Sequence, residues 1–270
     1  MWRGVAGVAA EVALAVGVYM IYRFGRMLTQ DAVESARHNA GLVVELERSL
    51  GLFTERTFQR WVLEVDGAVP FLNRYYIAAH FTGAVAFLIW VFVRRRRAYP
   101  PIRSWFAMVT LSGLVIHVLF PLAPPRMSPG FVDTLREFGP NIIYTDDPSR
   151  SIANQFAAMP SLHFGWALLV AIAMTRLAPR WRFVWFLHPT FTLLAIVGTG
   201  NHYWLDAIVA GALVVALGVP FLRDPRLRRP PVSRRASNGA DARSGEPVPV
   251  VASRGQRRPQ VGSHAADGVP

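Results

Sequence analysis

Six apolar runs, at residues 4–22, 71–93, 105–122, 161–177, 183–200 and 203–222, are each long enough, or nearly so, to cross roughly 30 Å of hydrocarbon as a helix of about 20 residues. Such a ladder leaves few architectures open, because lipid accepts only helices or closed barrels. The rest of the composition agrees: 52% of the residues are hydrophobic and 17% charged, against about a quarter charged in soluble domains. The chain has no cysteine, which excludes disulfides, thiol nucleophiles and Cys-ligated metal centres. Its net charge is +12, carried by 29 basic residues that are all arginine. Their clustering at the ends of apolar runs argues for membrane anchoring rather than nucleic-acid binding. The expected fold is therefore an all-α, polytopic bundle of six transmembrane helices, with no nucleic acid among its partners.

Orientation follows from the short loops. Arg94–Arg97 and Arg103, then Arg176, Arg180 and Arg182, then Arg223, Arg226, Arg228 and Arg229 all fall on one side of a six-span arrangement. That side is expected to be cytoplasmic, with both termini inside. Arg23 and Arg26 fall on the other side. The first run reads as a retained span, because Glu11 interrupts it and arginines stand where a cleavage site is needed. The expected setting is a bacterial plasma membrane.

Between the first two spans, residues 28–69 are of intermediate polarity. Val33, Ala36, Ala40, Val43 and Val44, and later Leu50, Phe53, Trp61 and Val65, recur at helical spacing, with Glu34, Glu45, Glu47 and Arg48 on other faces. Amphipathic helices on the outer membrane surface fit this pattern, as does a small packed cap. Residues 1–229 then form the membrane catalytic domain, and residues 230–270, rich in Pro, Gly, Ser and Arg, a disordered basic cytoplasmic tail.

Three polar clusters interrupt the apolar ladder. Gly198 and Gly200 mark a break before the last span; His202 follows it, and Asp206 lies one helical turn on, over the same face. A carboxylate on one ring nitrogen fixes the tautomer and raises the basicity of the other, as a nucleophilic histidine requires. In the second cluster, Pro160 suits a first helical turn, so Ser161 and His163 sit where free N–H groups and the helix dipole favour an anion. The third is the proline-stiffened exit of span three, where Arg126 offers a planar fork to phosphate. Counting spans puts Arg126, Ser161, His163, His202 and Asp206 at the outer face together. They suit phosphate chemistry: an arginine and a helix start hold the anion, one histidine attacks and one protonates the leaving oxygen. No cofactor or metal is expected, since His163, His202 and Asp206 alone make a poor ligand set. Glu11 is left open, as partner of a bundle arginine or of a substrate hydroxyl.

The segments Pro160-Ser161-Leu162-His163 and His202-x-x-x-Asp206 resemble the second and third signature motifs of the type 2 phosphatidic acid phosphatase superfamily. The fuller wording, Ala-Pro-Pro-Arg-Met, Ala-Met-Pro-Ser-Leu-His-Phe-Gly-Trp-Ala and Gly-Asn-His-Tyr-Trp-Leu-Asp, is closer to the branch containing inositol phosphorylceramide synthase. The resemblance implies that His202 is the nucleophile, oriented by Asp206, with His163 as general acid and Arg126 and Ser161 on phosphate oxygens. It also implies a membrane phosphatase or phosphotransferase acting on a phospholipid or polyprenyl phosphate. Leu119 stands where the family usually has Lys, Met127 where Pro follows the Arg, and Ala195 and Ile196 where Ser-Arg precedes the His. Arg150, Asn201 and exposed backbone N–H groups are the candidates to complete the phosphate cradle. The missing cations keep a second class in view: a non-catalytic lipid-binding or lipid-transport protein on the same scaffold.

Overall fold

The computed structural model describes residues 2–27, 32–139 and 156–227. They form ten helices: α1 (Trp2–Met27), α2 (Val33–Ser49), α3 (Glu55–Glu64), α4 (Ala68–Arg94), α5 (Tyr99–Leu119), α6 (Thr134–Phe138), α7 (Leu162–Leu177), α8 (Arg182–Trp185), α9 (Leu187–Gly198) and α10 (Trp204–Leu222). There is no strand among the described residues. Arg150 and the expected tail from residue 230 lie outside them.

Helices that are apolar all round must be buried in protein or bathed in lipid, and these are both. Ile102, Trp105, Val109, Leu169 and Val214 pack inward with almost no exposure. Phe81, Ile89 and Val93 of α4, Val115 of α5, and Ile208 and Val215 of α10 face outward. The chain is an integral membrane protein. Four helical segments are long and apolar enough to cross a bilayer: Ala68–Arg94, Tyr99–Leu119, Pro179–Gly198 and Trp204–Leu222. The expected count of six is met only this far, since Gly7–Ile21 and Leu162–Leu177 are apolar but shorter. For α7 the reason is local. It opens at the fully buried Ser161, inside the bundle rather than at its edge, and its 16 residues span only about 24 Å.

That short helix is nonetheless central, packing against α4, α5, α9 and α10. Glu11 of α1 accepts a hydrogen bond from Arg103 Nη1 and another, at 3.2 Å, from the Tyr99 hydroxyl. Of its two expected roles, the bundle arginine is the one the structure holds. Trp105 is core rather than an interfacial anchor, with its indole N–H on the Val214 carbonyl at 3.1 Å.

Helices α2 and α3 sit as a cap over the polar end of the bundle. In α2 the buried stripe is Ala36, Ala40, Val43 and Glu47; in α3 it is Glu55, Gln59 and Val62. The expected apolar stripe of α2 is largely correct. That of α3 is not: Trp61 and Val65 are exposed, and the buried face is mostly polar because it meets backbone ends rather than side chains. The cap is fastened by Asn39, whose amide donates to the Pro121 carbonyl at 2.8 Å, and by Ala123 N–H on the Ala36 carbonyl at 3.1 Å. Below it, Leu122 pairs with residues 156–158 through an isolated parallel bridge, its N–H on the Phe156 carbonyl at 2.8 Å. This bridge joins the exit of α5 to the approach of α7.

Candidate active site

The break between α9 and α10 is built by backbone. The Ile196 carbonyl accepts from both Asn201 N–H at 2.9 Å and His202 N–H at 3.0 Å, which turns the chain sharply. Gly200 takes φ +69°, and a Cβ there would meet Gln59 Nε2 at 2.7 Å. Only glycine suits both the dihedral and the space. His202 is thereby presented, 4% exposed, just ahead of α10.

Its Nδ1 lies 2.8 Å from the Ala158 carbonyl and 3.1 Å from Asp206 Oδ2. A carbonyl oxygen can only accept, so Nδ1 carries the proton and Nε2 is left with its lone pair. Burial pushes the imidazole down to about 3, the Ala158 hydrogen bond opposing and the Arg126 charge adding to the effect. His202 is therefore neutral over the physiological range. Asp206 is itself fully buried; its Oδ2 also accepts from Tyr203 N–H at 2.9 Å, and its carbonyl accepts from Ser161 N–H at 3.1 Å. One residue thus ties the start of α10 to the start of α7.

At that second helix start, Ser161 Oγ caps the chain by accepting from Phe164 N–H at 3.4 Å. His117 of α5 holds the preceding turn through Nε2 on the Pro160 carbonyl, 3.0 Å away. His163 stacks on Tyr76 with ring centroids 4.4 Å apart. Its centroid is 5.9 Å from that of His202, the planes inclined at 59°.

Arg126 lies in a 3₁₀ turn, Pro125–Met127, that hangs from the glycine break by Arg126 N–H on the Gly200 carbonyl at 2.8 Å. Its Nη1 donates to Asn201 Oδ1 at 2.6 Å, and its Nε is 3.5 Å from Asp133 Oδ2. Asn201 Nδ2 donates to Thr199 Oγ1 at 2.6 Å. Both ends of the Asn201 amide are thus engaged by protein. The positions without family cations are also explained locally: Leu119 points out, 77% exposed, while Ala195 and Ile196 are fully buried, where a cation would need a buried anion.

Arg126, Ser161, His163, Asn201, His202 and Asp206 therefore converge. His188 does not join them: its Nδ1 meets the Tyr75 hydroxyl at 2.6 Å elsewhere in the bundle. Glu47 and Glu55 are the residues that reasoning from the sequence missed. Glu47 accepts from Leu205 N–H at 2.8 Å and Glu55 from Trp204 N–H at 3.1 Å. One signal was present: the Ala36, Ala40, Val43 stripe arrives at Glu47 one turn further on. Among the described residues no group of three or more His, Asp or Glu side chains is arranged to hold a metal ion.

Over 189 residues the chain is 28% identical to the inositol phosphorylceramide synthase catalytic subunit aur1 of Schizosaccharomyces pombe, covering 63% of this chain and 42% of that protein. Over 124 residues it is 27% identical to the inositol phosphorylceramide synthase of Candida albicans, covering 40% of this chain and 26% of the relative. The chain thus matches less than half the length of either relative. No solved structure gives a significant match. The profile of the PAP2 superfamily matches residues 42–221, a stretch that begins within α2 and holds α3 and every converging side chain. Since that is more than half of its length, the chain belongs to the PAP2 superfamily.

Proposed function

We propose that the protein is a metal-independent lipid phosphatase or phosphotransferase working through a phosphohistidine. The observation that carries this reading is the His202 ring, protonated at Nδ1 by the geometry of its two acceptors and 5.9 Å from the His163 ring. His202 Nε2 attacks phosphorus with its lone pair, the ester P–O bond breaks, and His163 gives its proton to the departing alkoxide. Asp206 keeps the Nδ1 proton in place and offsets the charge that grows on the ring. Arg126, held by Asn201, and Ser161 at the start of α7 bind the phosphoryl oxygens. In the second half, water or an alcohol attacks the phosphohistidine, loses its proton to His163, and the P–N bond breaks to restore His202. Water makes the enzyme a phosphatase; an alcohol makes it a transferase, the class that the names of the two relatives favour.

The lipid substrate is supported by an open apolar groove of about 510 Å³ between α7 and α10, lined by Leu52, Phe164, Leu168, Trp204, Ile208 and Val215. Its lining reaches Trp204, two residues beyond the nucleophile. The reading includes six crossings, with Gly7–Ile21 and α7 added to the four longer segments, and the arginine clusters on the cytoplasmic side. The site then faces the extracytoplasmic leaflet. Both relatives are fungal, so they support a membrane setting without making it bacterial.

The test is a panel of phosphatidic acid, polyprenyl pyrophosphate and inositol phospholipid, with phosphate release and product mass read together. Phosphate trapped on His202 by a slow substrate is the expected result, and activity that survives a chelator. The empty Lys and Arg positions favour one rival, a non-catalytic lipid binder; binding without turnover or phosphohistidine across the panel establishes it instead.

A further inference from the structure

The reaction as derived makes no use of two glutamates that lie directly behind its nucleophile. Glu47, from α2, and Glu55, from α3, are both 0% exposed. Each spends one oxygen on the first turn of α10: Glu47 Oε1 on Leu205 N–H at 2.8 Å and Glu55 Oε1 on Trp204 N–H at 3.1 Å. With Asp206 on Tyr203 N–H, three successive backbone donors at this helix start end on carboxylates. Two of those come from the cap, some 150 residues earlier in the chain.

The remaining oxygens, Glu47 Oε2 and Glu55 Oε2, are buried with no hydrogen-bond partner, and anchoring on adjacent N–H groups sets the two carboxyl groups side by side. Two carboxylates have only acceptors, so such a contact needs a proton between them. No described arginine neutralises the pair: Arg48 lies over the Phe53 ring and Arg56 is occupied by the Pro129 carbonyl. The titratable groups that face it are Asp206 and Tyr203, from the start of α10.

We propose that Glu47 and Glu55 form an acid–carboxylate pair sharing one proton, and that this pair is a positioning element that holds the His202 turn through the first N–H groups of α10. The proposal rests on the assignment of His202 as nucleophile. Burial, followed by the hydrogen bond that a shared proton makes to Glu55, pushes Glu47 up to about 9 from its ordinary 4.5, with the Leu205 N–H opposing and the charges of Glu55 and Asp206 adding. The direction of the linkage follows. Between about 4.5 and about 9 the folded protein holds a proton that the unfolded chain has released, so stability declines as pH rises through that window. Above it, two charges face each other beside Asp206 and the turn loosens.

The experiment uses the full chain in detergent, with unfolding midpoint and kcat followed against pH for wild type, Glu47→Gln and Glu47→Ala. Glutamine keeps the acceptor for Leu205 N–H and supplies a donor to Glu55 without titrating. The expected result is that Glu47→Gln flattens the alkaline decline in unfolding midpoint, overtakes wild type at high pH and shifts the alkaline limb of kcat upward. Glu47→Ala lowers kcat by about 10- to 100-fold with KM within about threefold, the signature of a displaced reacting group. If Glu47→Gln follows the wild-type pH curve, or is as impaired as Glu47→Ala, the pair does not share a proton and the proposal falls. Should Glu47→Ala fail to fold, Glu55→Gln replaces it in the same two measurements, and an unflattened curve again overturns the pair. Unfolding needs no turnover, so a flattened curve alongside a fully active His202→Ala overturns the mechanism and leaves the carboxyl pair standing.

Discussion

The two helices that deliver histidines to the site begin in opposite ways. Helix α7 caps itself, with Ser161 Oγ on Phe164 N–H three residues on. Helix α10 is capped largely from outside, with Glu47 and Glu55 joining its own Asp206 on three consecutive N–H groups. A helix start bears roughly half a positive charge that an anion can use once. At α10 that charge is consumed by protein carboxylates, which immobilise the turn carrying His202. At α7 the proposed mechanism gives it to a phosphoryl group. On the proposed mechanism, the difference assigns one helix start to the nucleophile and the other to the group it attacks.

The sharpest way to break that division is at the nucleophile. His202→Ala is expected to lower turnover by at least about 10³-fold with normal expression, because no other group takes the phosphoryl; phosphate-release assays decide, and full activity refutes the mechanism. Next comes His163→Ala, with a loss of about 10²- to 10⁴-fold that shrinks for substrates with better leaving groups, as loss of a general acid requires. Ser161→Ala is smaller. It removes the α7 cap and costs about 1 kcal/mol of stability, read as a lower unfolding midpoint, with KM raised more than kcat is lowered.

The pH profile sharpens the same contrast. Burial holds His202 down to about 3, so its lone pair is present at any pH above that. Lowering pH from 7 to 5 should then leave the rate of phosphohistidine formation unaffected by His202, as single-turnover trapping measures. A loss centred near 6.5 that survives His163→Ala contradicts the buried, neutral nucleophile. The smallest effect is expected from removing the basic tail. Truncation after Arg229 should leave turnover and membrane insertion unchanged, as activity in membranes from expressing cells would show.

Much of this was legible in the residues alone. Period and length marked the apolar helices, and glycine and proline punctuation marked the two breaks that carry the site. Arg126, Ser161, His163, His202 and Asp206 stood out because polar groups are costly among apolar runs. What misled was the cap. Glu47 reads as a solvent-facing residue of an amphipathic helix, and the apolar stripe through Trp61 and Val65 reads as its buried face. In the structure Glu47 and Glu55 are buried and Trp61 is exposed. Amphipathic periodicity supposes that the covered surface is apolar, but this cap covers the N–H groups of a helix end, which call for carboxylates. Asn201 shows the same limit, since a chain pattern shows an amide near a candidate phosphate site but not that Arg126 and Thr199 hydrogen-bond it.

Membrane insertion and the chemical character of the motifs are properties of short windows of chain, because hydrophobic length and His-x-x-x-Asp spacing act through neighbours a turn or two away. Folding decided the matters that depend on residues brought from afar. It set 5.9 Å between two histidines from different helices, and it turned two surface-looking glutamates into the support of a third helix. Such pairings follow from which backbone donors are left without partners once the bundle has closed, and no local pattern encodes that.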